Sequence, residues 1–166
     1  MRRSRRALLA ALLLTGCGGG RFLNGAYLDE AKGFRVALPQ GWERVQVEGA
    51  DLALRPPGGG ATLAVAASCP PAEGGEAAVL TRHLFFGLRQ RELLRQEPVN
   101  VDGTAGLQTL LSATLNGAPV LVQSVVIRRG KCLYDLLGVA RPEAASGGAA
   151  AFGDLLRGWQ FLQGAP

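Results

Sequence analysis

Residues 107–140 read LQTLLSATLNGAPVLVQSVVIRRGKCLYDLLGVA, and the reading of this stretch decides the fold. Leu107, Thr109, Leu111, Ala113 and Leu115 alternate with other residues up to Asn116-Gly117. That dipeptide suits a two-residue hairpin turn, because both central positions of such a turn need positive φ. Val120, Val122, Ser124 and Val126 run back at the same period of two, which places one set of side chains on one face of a sheet. Arg128-Arg129-Gly130-Lys131 forms the next turn, and Cys132 to Ala140 supplies a third strand. An antiparallel meander is the expected result.

Toward the C-terminus, Pro142-Glu143 opens a helix that buries Phe152, Leu155 and Leu156, and Trp159 to Leu162 reads as a short extended piece. Toward the N-terminus, Phe34, Val36 and Leu38 alternate before the turn Pro39-Gln40-Gly41, which leads to Trp42, Val45 and Val47. Leu52-Ala53-Leu54 makes a short strand. Leu63, Val65, Ala67 and Cys69 share one face of a longer strand that stops at Pro70-Pro71. Between these blocks a helix is predicted from about Gly75 to Gln96. Ala77, Leu80, Leu84, Leu88 and Phe85 fall at helical spacing, while Arg82, Arg89, Arg91 and Arg95 occupy other faces. This arginine row is read as a solvated surface ahead of a docking site for an acidic partner. The resulting fold class is α+β: a single domain with an antiparallel β-sheet flanked by helices.

The phrase Gly33-Phe34-Arg35-Val36-Ala37-Leu38-Pro39-Gln40-Gly41-Trp42 resembles the opening of PsbP-like proteins. The order of helix, hairpin, tyrosine-bearing strand and C-terminal helix ending in Trp159-Gln160-Phe161 is similar too, over most of residues 27–163. The resemblance implies an α/β/α sandwich and a compact, non-enzymatic domain that works by contact with other proteins. No ligand-binding residue of that family maps onto this sequence.

At the start, Arg2, Arg3, Arg5 and Arg6 precede the apolar run ALLAALLL of residues 7–14. A basic segment followed by a short apolar one is the pattern of an export signal, and the run is well short of the ~20 apolar residues that span a bilayer. Leu14-Thr15-Gly16-Cys17 resembles the lipobox of bacterial lipoproteins. The resemblance implies cleavage before Cys17 and lipid on its thiol. At ~0.8 kcal/mol per buried CH₂, two or three acyl chains would hold the chain on a membrane almost permanently. The alternative is an ordinary export signal with a cysteine near its cut site. The expected organisation is signal peptide at 1–16, lipidated cysteine and flexible tether at 17–26, and PsbP-like domain at 27–166. Ser4-Arg5-Arg6-Ala7-Leu8-Leu9 is also similar to a twin-arginine export signal. Gly18, where an aspartate would retain a Gram-negative lipoprotein at the inner membrane, favours a periplasmic-facing site on the outer membrane in such a cell.

The formal charge of the whole sequence is +5, with 18 Lys and Arg against 13 Asp and Glu. Four of those basic residues lie ahead of Cys17, leaving 14 from there on, so the exported part is nearly neutral. Nucleic acid is therefore not an expected partner. With Cys17 lipidated, Cys69 and Cys132 remain. An even remainder in an oxidising compartment suggests a disulfide, with two buried thiols as the alternative. Two distant cysteines and one histidine are too few for a metal site.

Chemistry is sparse. His83, between Arg82 and Leu84, could serve as a base of lowered pKa, yet no nucleophile is placed beside it, and a solvent-facing histidine is the plainer reading. Asp135 alternates with Leu133 and Leu137. A carboxylate on a buried face must find an arginine or backbone N–H groups, so a structural role is expected. Gly18-Gly19-Gly20 and Gly58-Gly59-Gly60 lack the lysine and the strand–loop–helix setting of phosphate loops. No catalytic residue, cofactor or metal is assigned. The expected function is a membrane-anchored binding or assembly module of the cell envelope, with an envelope protein as partner. A carrier of a small apolar ligand or lipid is the alternative, and a hydrolase ranks third.

Overall fold

A computed structural model describes residues 19–69 and 87–164. Eleven strands follow in order: β1 (Arg21–Leu23), β2 (Ala26–Asp29), β3 (Phe34–Ala37), β4 (Glu43–Val45), β5 (Leu52–Arg55), β6 (Ala61–Ser68), β7 (Arg89–Val101), β8 (Thr104–Leu115), β9 (Ala118–Arg129), β10 (Cys132–Ala140) and β11 (Trp159–Phe161). A short 3-10 turn, Pro142–Ala144, runs into the helix α1 (Ala145–Arg157), which precedes β11. The strands form a large antiparallel sheet of order β4-β5-β6-β10-β9-β8-β7 and a small one of order β1-β2-β3-β11.

The meander of β8, β9 and β10 forms in the register that its turns dictate. Asn116 and Gly117 both take positive φ, 52° and 82°, and Leu115 pairs with Ala118 across them. Two further turns have the same backbone: Asn24-Gly25 joins β1 to β2, and Asp102-Gly103 joins β7 to β8. In each, the primed turn matches the right-handed twist of the strands it joins.

The expected sandwich of helices around one sheet is not what forms. Among the described residues 58% are strand and 12% helix, and the large sheet is backed by the small sheet together with α1. The principal correction concerns residues 89–96, which the sequence predicts as the end of a helix. They belong to β7, the edge strand, paired with β8 from Arg89↔Thr114 to Val101↔Thr104. Arg89, Arg91 and Arg95 are exposed along that edge. Good helix formers yield here to the pairing that the Asp102-Gly103 turn sets up, since tertiary pairing outweighs a propensity of a few tenths of a kcal/mol per residue. Pro98 is tolerated because an edge strand has ladder positions that need no N–H. The remainder of the predicted helix, with Ala77, Leu80, Arg82, His83, Leu84 and Phe85, lies outside the described residues.

One face of the large sheet carries the main core. Leu63, Val65, Val125, Ile127, Tyr134 and Leu136 meet Tyr27, Phe34 and Val36 of the small sheet, Trp159 and Phe161 of β11, and Ala151, Phe152 and Leu155 of α1. Phe34 stacks on Trp159 with centroids 4.6 Å apart, and Tyr134 meets Trp159 and Phe161 edge-on at 5.8 and 5.1 Å. Three polar ties join the layers. The Tyr134 hydroxyl donates to the Lys32 carbonyl at 2.7 Å. Lys32 Nζ donates to Asp51, whose second oxygen accepts the Ala67 N–H at 2.7 Å. Asp102 Oδ2 accepts the Phe161 N–H at 2.7 Å, capping β11 from the β7–β8 turn. The opposite face of the sheet gathers Leu111, Ala113, Val120 and Val122, with Leu88, Leu137 and Val139 packed beside them.

Cys69 and Cys132 are joined in a disulfide, Cα–Cα 4.4 Å. The β6–β10 register explains the meeting: Ser68 lies opposite Leu133, so the next residue along β6 reaches Cys132. Among the described residues no helix is long and apolar enough to cross a membrane. The bond closes a span of 63 residues, so on the chain-entropy estimate reduction, or replacement of both cysteines by serine, should cost up to about 4 kcal/mol. Urea unfolding with and without reductant measures this; coincident curves would mean the bond contributes nothing.

Candidate functional site

The described residues offer two places where side chains are arranged for more than packing, one on each face of β10. The first lies under the N-terminal half of α1. Phe152 and Leu155, in the C-terminal half, pack fully against the sheet. The N-terminal half, Ala145-Ser146-Gly147-Gly148-Ala149, has no side chain of comparable size. An open slot of about 270 Å³ remains between Ser146, Gly148 and Ala149 above and Leu110, Leu121 and Gly138 below. Its floor crosses three strands, because Leu121 pairs with Ala140 on β10 while Gln123 pairs with Gly138 on β10 and Leu110 on β8.

Two glycines hold the helix close to the sheet. A Cβ on Gly138 would stand 3.2 Å from the Phe152 ring, and one on Gly148 would stand 3.1 Å from Ala140 Cβ. The lining is apolar apart from Gln123 and Ser146. Small-molecule sites of ~300–1,000 Å³ have this composition, an apolar wall with a few polar groups that fix orientation. This slot is just below that range. Its chemistry suits a section of alkyl chain or a small apolar group, with Gln123 or Ser146 able to bond a polar end.

The second place is on the opposite face. Ser124 is fully buried and Asp135 largely so, and neither Ser124 Oγ nor Asp135 Oδ1 has a hydrogen-bond partner among the described residues. Asp135 pairs with Val126 and Leu137 with Ser124, so the two polar residues sit diagonally on one face of neighbouring strands. Thr109 lies directly opposite Ser124 and accepts a hydrogen bond from Gln96 Nε2 at 3.0 Å. A line of polar residues thus crosses β7, β8, β9 and β10 through an otherwise apolar face. Burial raises the Asp135 carboxyl from its ordinary 3.8 to about 6.

No arginine or edge-strand N–H among the described residues bonds Asp135 Oδ1. The reason is positional: β10 is hydrogen-bonded on both sides, by β6 and β9, and offers no free backbone donor. Tyr134 points into the main core, away from Asp135. Of the other residues singled out from sequence, Cys17 and His83 lie outside the described residues, and Cys69 with Cys132 forms a staple at the end of the sheet. Among the described residues no three His, Cys, Asp or Glu side chains gather as a metal site would require. The carrier alternative read from sequence has an apolar ligand between sheet and helix but names no residue of this slot. Its signal is present in Gly147-Gly148 between Ser146 and Ala149, since two glycines inside a helix cost ~1 kcal/mol each against alanine and call for a packing reason.

No family model and no curated protein matches the chain. Solved structures do. CyanoP, the cyanobacterial PsbP protein of Synechocystis, superposes with a TM-score of 0.63 at 18% identity, over 92% of this chain and 98% of its own. LpqN of Mycobacterium tuberculosis, a protein involved in cell envelope biogenesis, gives 0.62 at 14% identity over 78% of this chain and 83% of its own. At such identities the likeness is one of fold, and the fold is PsbP-like.

Asp135 makes stability depend on pH. Its folded pKa exceeds the unfolded one, so the folded state holds the proton more tightly between the two values. Stability therefore falls as pH rises from the ordinary aspartate range to about 6, and is flat above that. Asp135→Asn should abolish this slope and leave the protein more stable than the parent at neutral pH. Urea midpoints measured across that range test it; an unchanged slope would show that Asp135 does not titrate there.

Proposed function

We propose that the chain is a lipid-anchored, non-catalytic binding module of the cell envelope, held at the membrane by lipid on Cys17 and engaging an envelope protein through its folded domain. The observation that carries this reading is the placement of Leu14-Thr15-Gly16-Cys17 four residues ahead of β1, at the head of a domain with the fold of CyanoP and LpqN. The involvement of LpqN in cell envelope biogenesis agrees with such a place. The polar pair Asp135 and Ser124 lies on the face of the sheet opposite the slot, so the two do not combine into one catalytic centre. In a Gram-negative cell Gly18 directs the anchor to the periplasmic face of the outer membrane. Metabolic labelling with palmitate, followed by membrane fractionation, tests the anchor. The parent should carry label and sediment with membranes, whereas Cys17→Ser should lose the label and become soluble. An unlabelled parent would overturn the reading.

The slot under α1 favours a second reading, a carrier of a small apolar ligand or a lipid chain. Protein taken from membranes should then show, beyond the covalent anchor on Cys17, a non-covalently held mass by native mass spectrometry. Ala149→Phe, at an exposed helix position on the rim, should remove that mass without altering the fold. A parent protein with no such mass would count decisively against a carrier.

A further inference from the structure

We propose that the β1 edge of the small sheet, through Phe22 and Leu23, rests in the headgroup layer of the bilayer that holds Cys17. This rests on the lipid-anchored reading above. The decisive geometry is the shortness of the link between lipid and fold. β1 lies inside the 17–26 stretch read as a tether. Gly20 lies against the Tyr27 ring so closely that a Cβ there would stand 2.2 Å from Tyr27 Cζ, and the next residue, Arg21, is paired with Leu28 of β2. Tyr27 is buried in the core, so Gly20 is fixed to the body of the domain. Three residue steps then separate the lipidated thiol's residue from that fixed point, and at ~3.6 Å per step they span at most about 11 Å. The headgroup layer on one side of a bilayer is itself roughly 5–8 Å thick. The link lets the domain rise no more than a few ångströms above the headgroup layer, and β1, the strand next to the link, is the part held nearest.

That strand has the composition such a position calls for. Edge strands of soluble proteins are usually blunted with charge. Here Phe22 is 40% exposed and Leu23 is 52% exposed on a three-residue edge strand. Arg44 of β4 places its guanidinium 4.9 Å over the Phe22 ring, as a cation reaching from an apolar surface to phosphate depth would do. Val47, 43% exposed, lines the same concavity as Arg44 and widens the apolar margin. The charges nearby nearly balance: Arg21 pairs with Glu30 at 2.7 Å, and Glu43 faces solvent on β4. The contact therefore draws on apolar insertion more than on anionic lipid.

Full-length lipidated protein carrying Phe22→Trp, reconstituted into phosphatidylethanolamine–phosphatidylglycerol vesicles with and without brominated acyl chains, provides the test. Emission from the new tryptophan should be blue-shifted and lose intensity in the brominated vesicles. The parent, whose tryptophans are the buried Trp159 and the half-buried Trp42, should show little change. Unfolding midpoints matching the parent establish that the variant folds. A protein that carries lipid by mass spectrometry but whose added tryptophan is unquenched overturns the proposal while leaving the anchor intact. A blue shift without quenching overturns it too, in favour of a protein surface covering β1. Absence of lipid on Cys17 overturns both the proposal and the anchored reading.

Discussion

The Tyr134 side chain joins the two sheets. It rises from the middle strand of the large sheet, is almost wholly buried, and gives its hydroxyl hydrogen to the carbonyl of Lys32 in the turn between β2 and β3. Its ring meets Phe34, Trp159 and Phe161, one from the N-terminal part of the small sheet and two from the strand after α1. A buried phenol must find an acceptor, because an unmet hydroxyl costs ~1–3 kcal/mol. That requirement fixes where the β2–β3 turn sits. Lys32 in the same turn reaches Asp51, and Asp51 holds the Ala67 N–H, so the small sheet is tied to β6 as well as to β10.

Because β10 pairs on both sides, alternate residues along it are committed to opposite faces. Tyr134, Leu136 and Gly138 face the small sheet and α1; Asp135, Leu137 and Val139 face the other way. Each face then shows a compromise. On the first, Gly138 lets Phe152 approach, and the small residues at the start of α1 leave the slot unfilled. On the second, Asp135 and Ser124 bring polar atoms into an apolar surface at a cost in stability. Well-packed cores seldom keep voids or unpartnered polar groups without a use, which is why these two features separate the functional readings more sharply than the rest of the fold does.

The meander was legible from sequence because its period of two is clean and Asn116-Gly117 admits few other conformations. The small sheet was less so. β1 and β2 are three and four residues long, too short for periodicity to register, and Asn24-Gly25 is overshadowed by the reading of residues 17–26 as tether. β7 was misread for two reasons. Irregularities between Arg89 and Glu92 and between Leu93 and Arg95 break its alternation, and the residues involved favour helices. The Asp102-Gly103 turn carried the correct answer, since a primed turn needs a strand on each side. The slot and the Asp135–Ser124 diagonal depend on cross-strand register, which no local pattern encodes.

The pairing of β3 with β11 has a consequence for when the protein can become folded. Val36 lies opposite Trp159, and Arg35 hydrogen-bonds Gln160 across 125 positions of sequence. The meander can form early from local contacts, but the small sheet lacks its fourth strand, and Phe34 its stacking partner, until residue 161 has been synthesised. Contacts of such long range are slow to form and come late. A chain emerging from the ribosome therefore remains open at its aromatic core until Phe161 has left the exit tunnel.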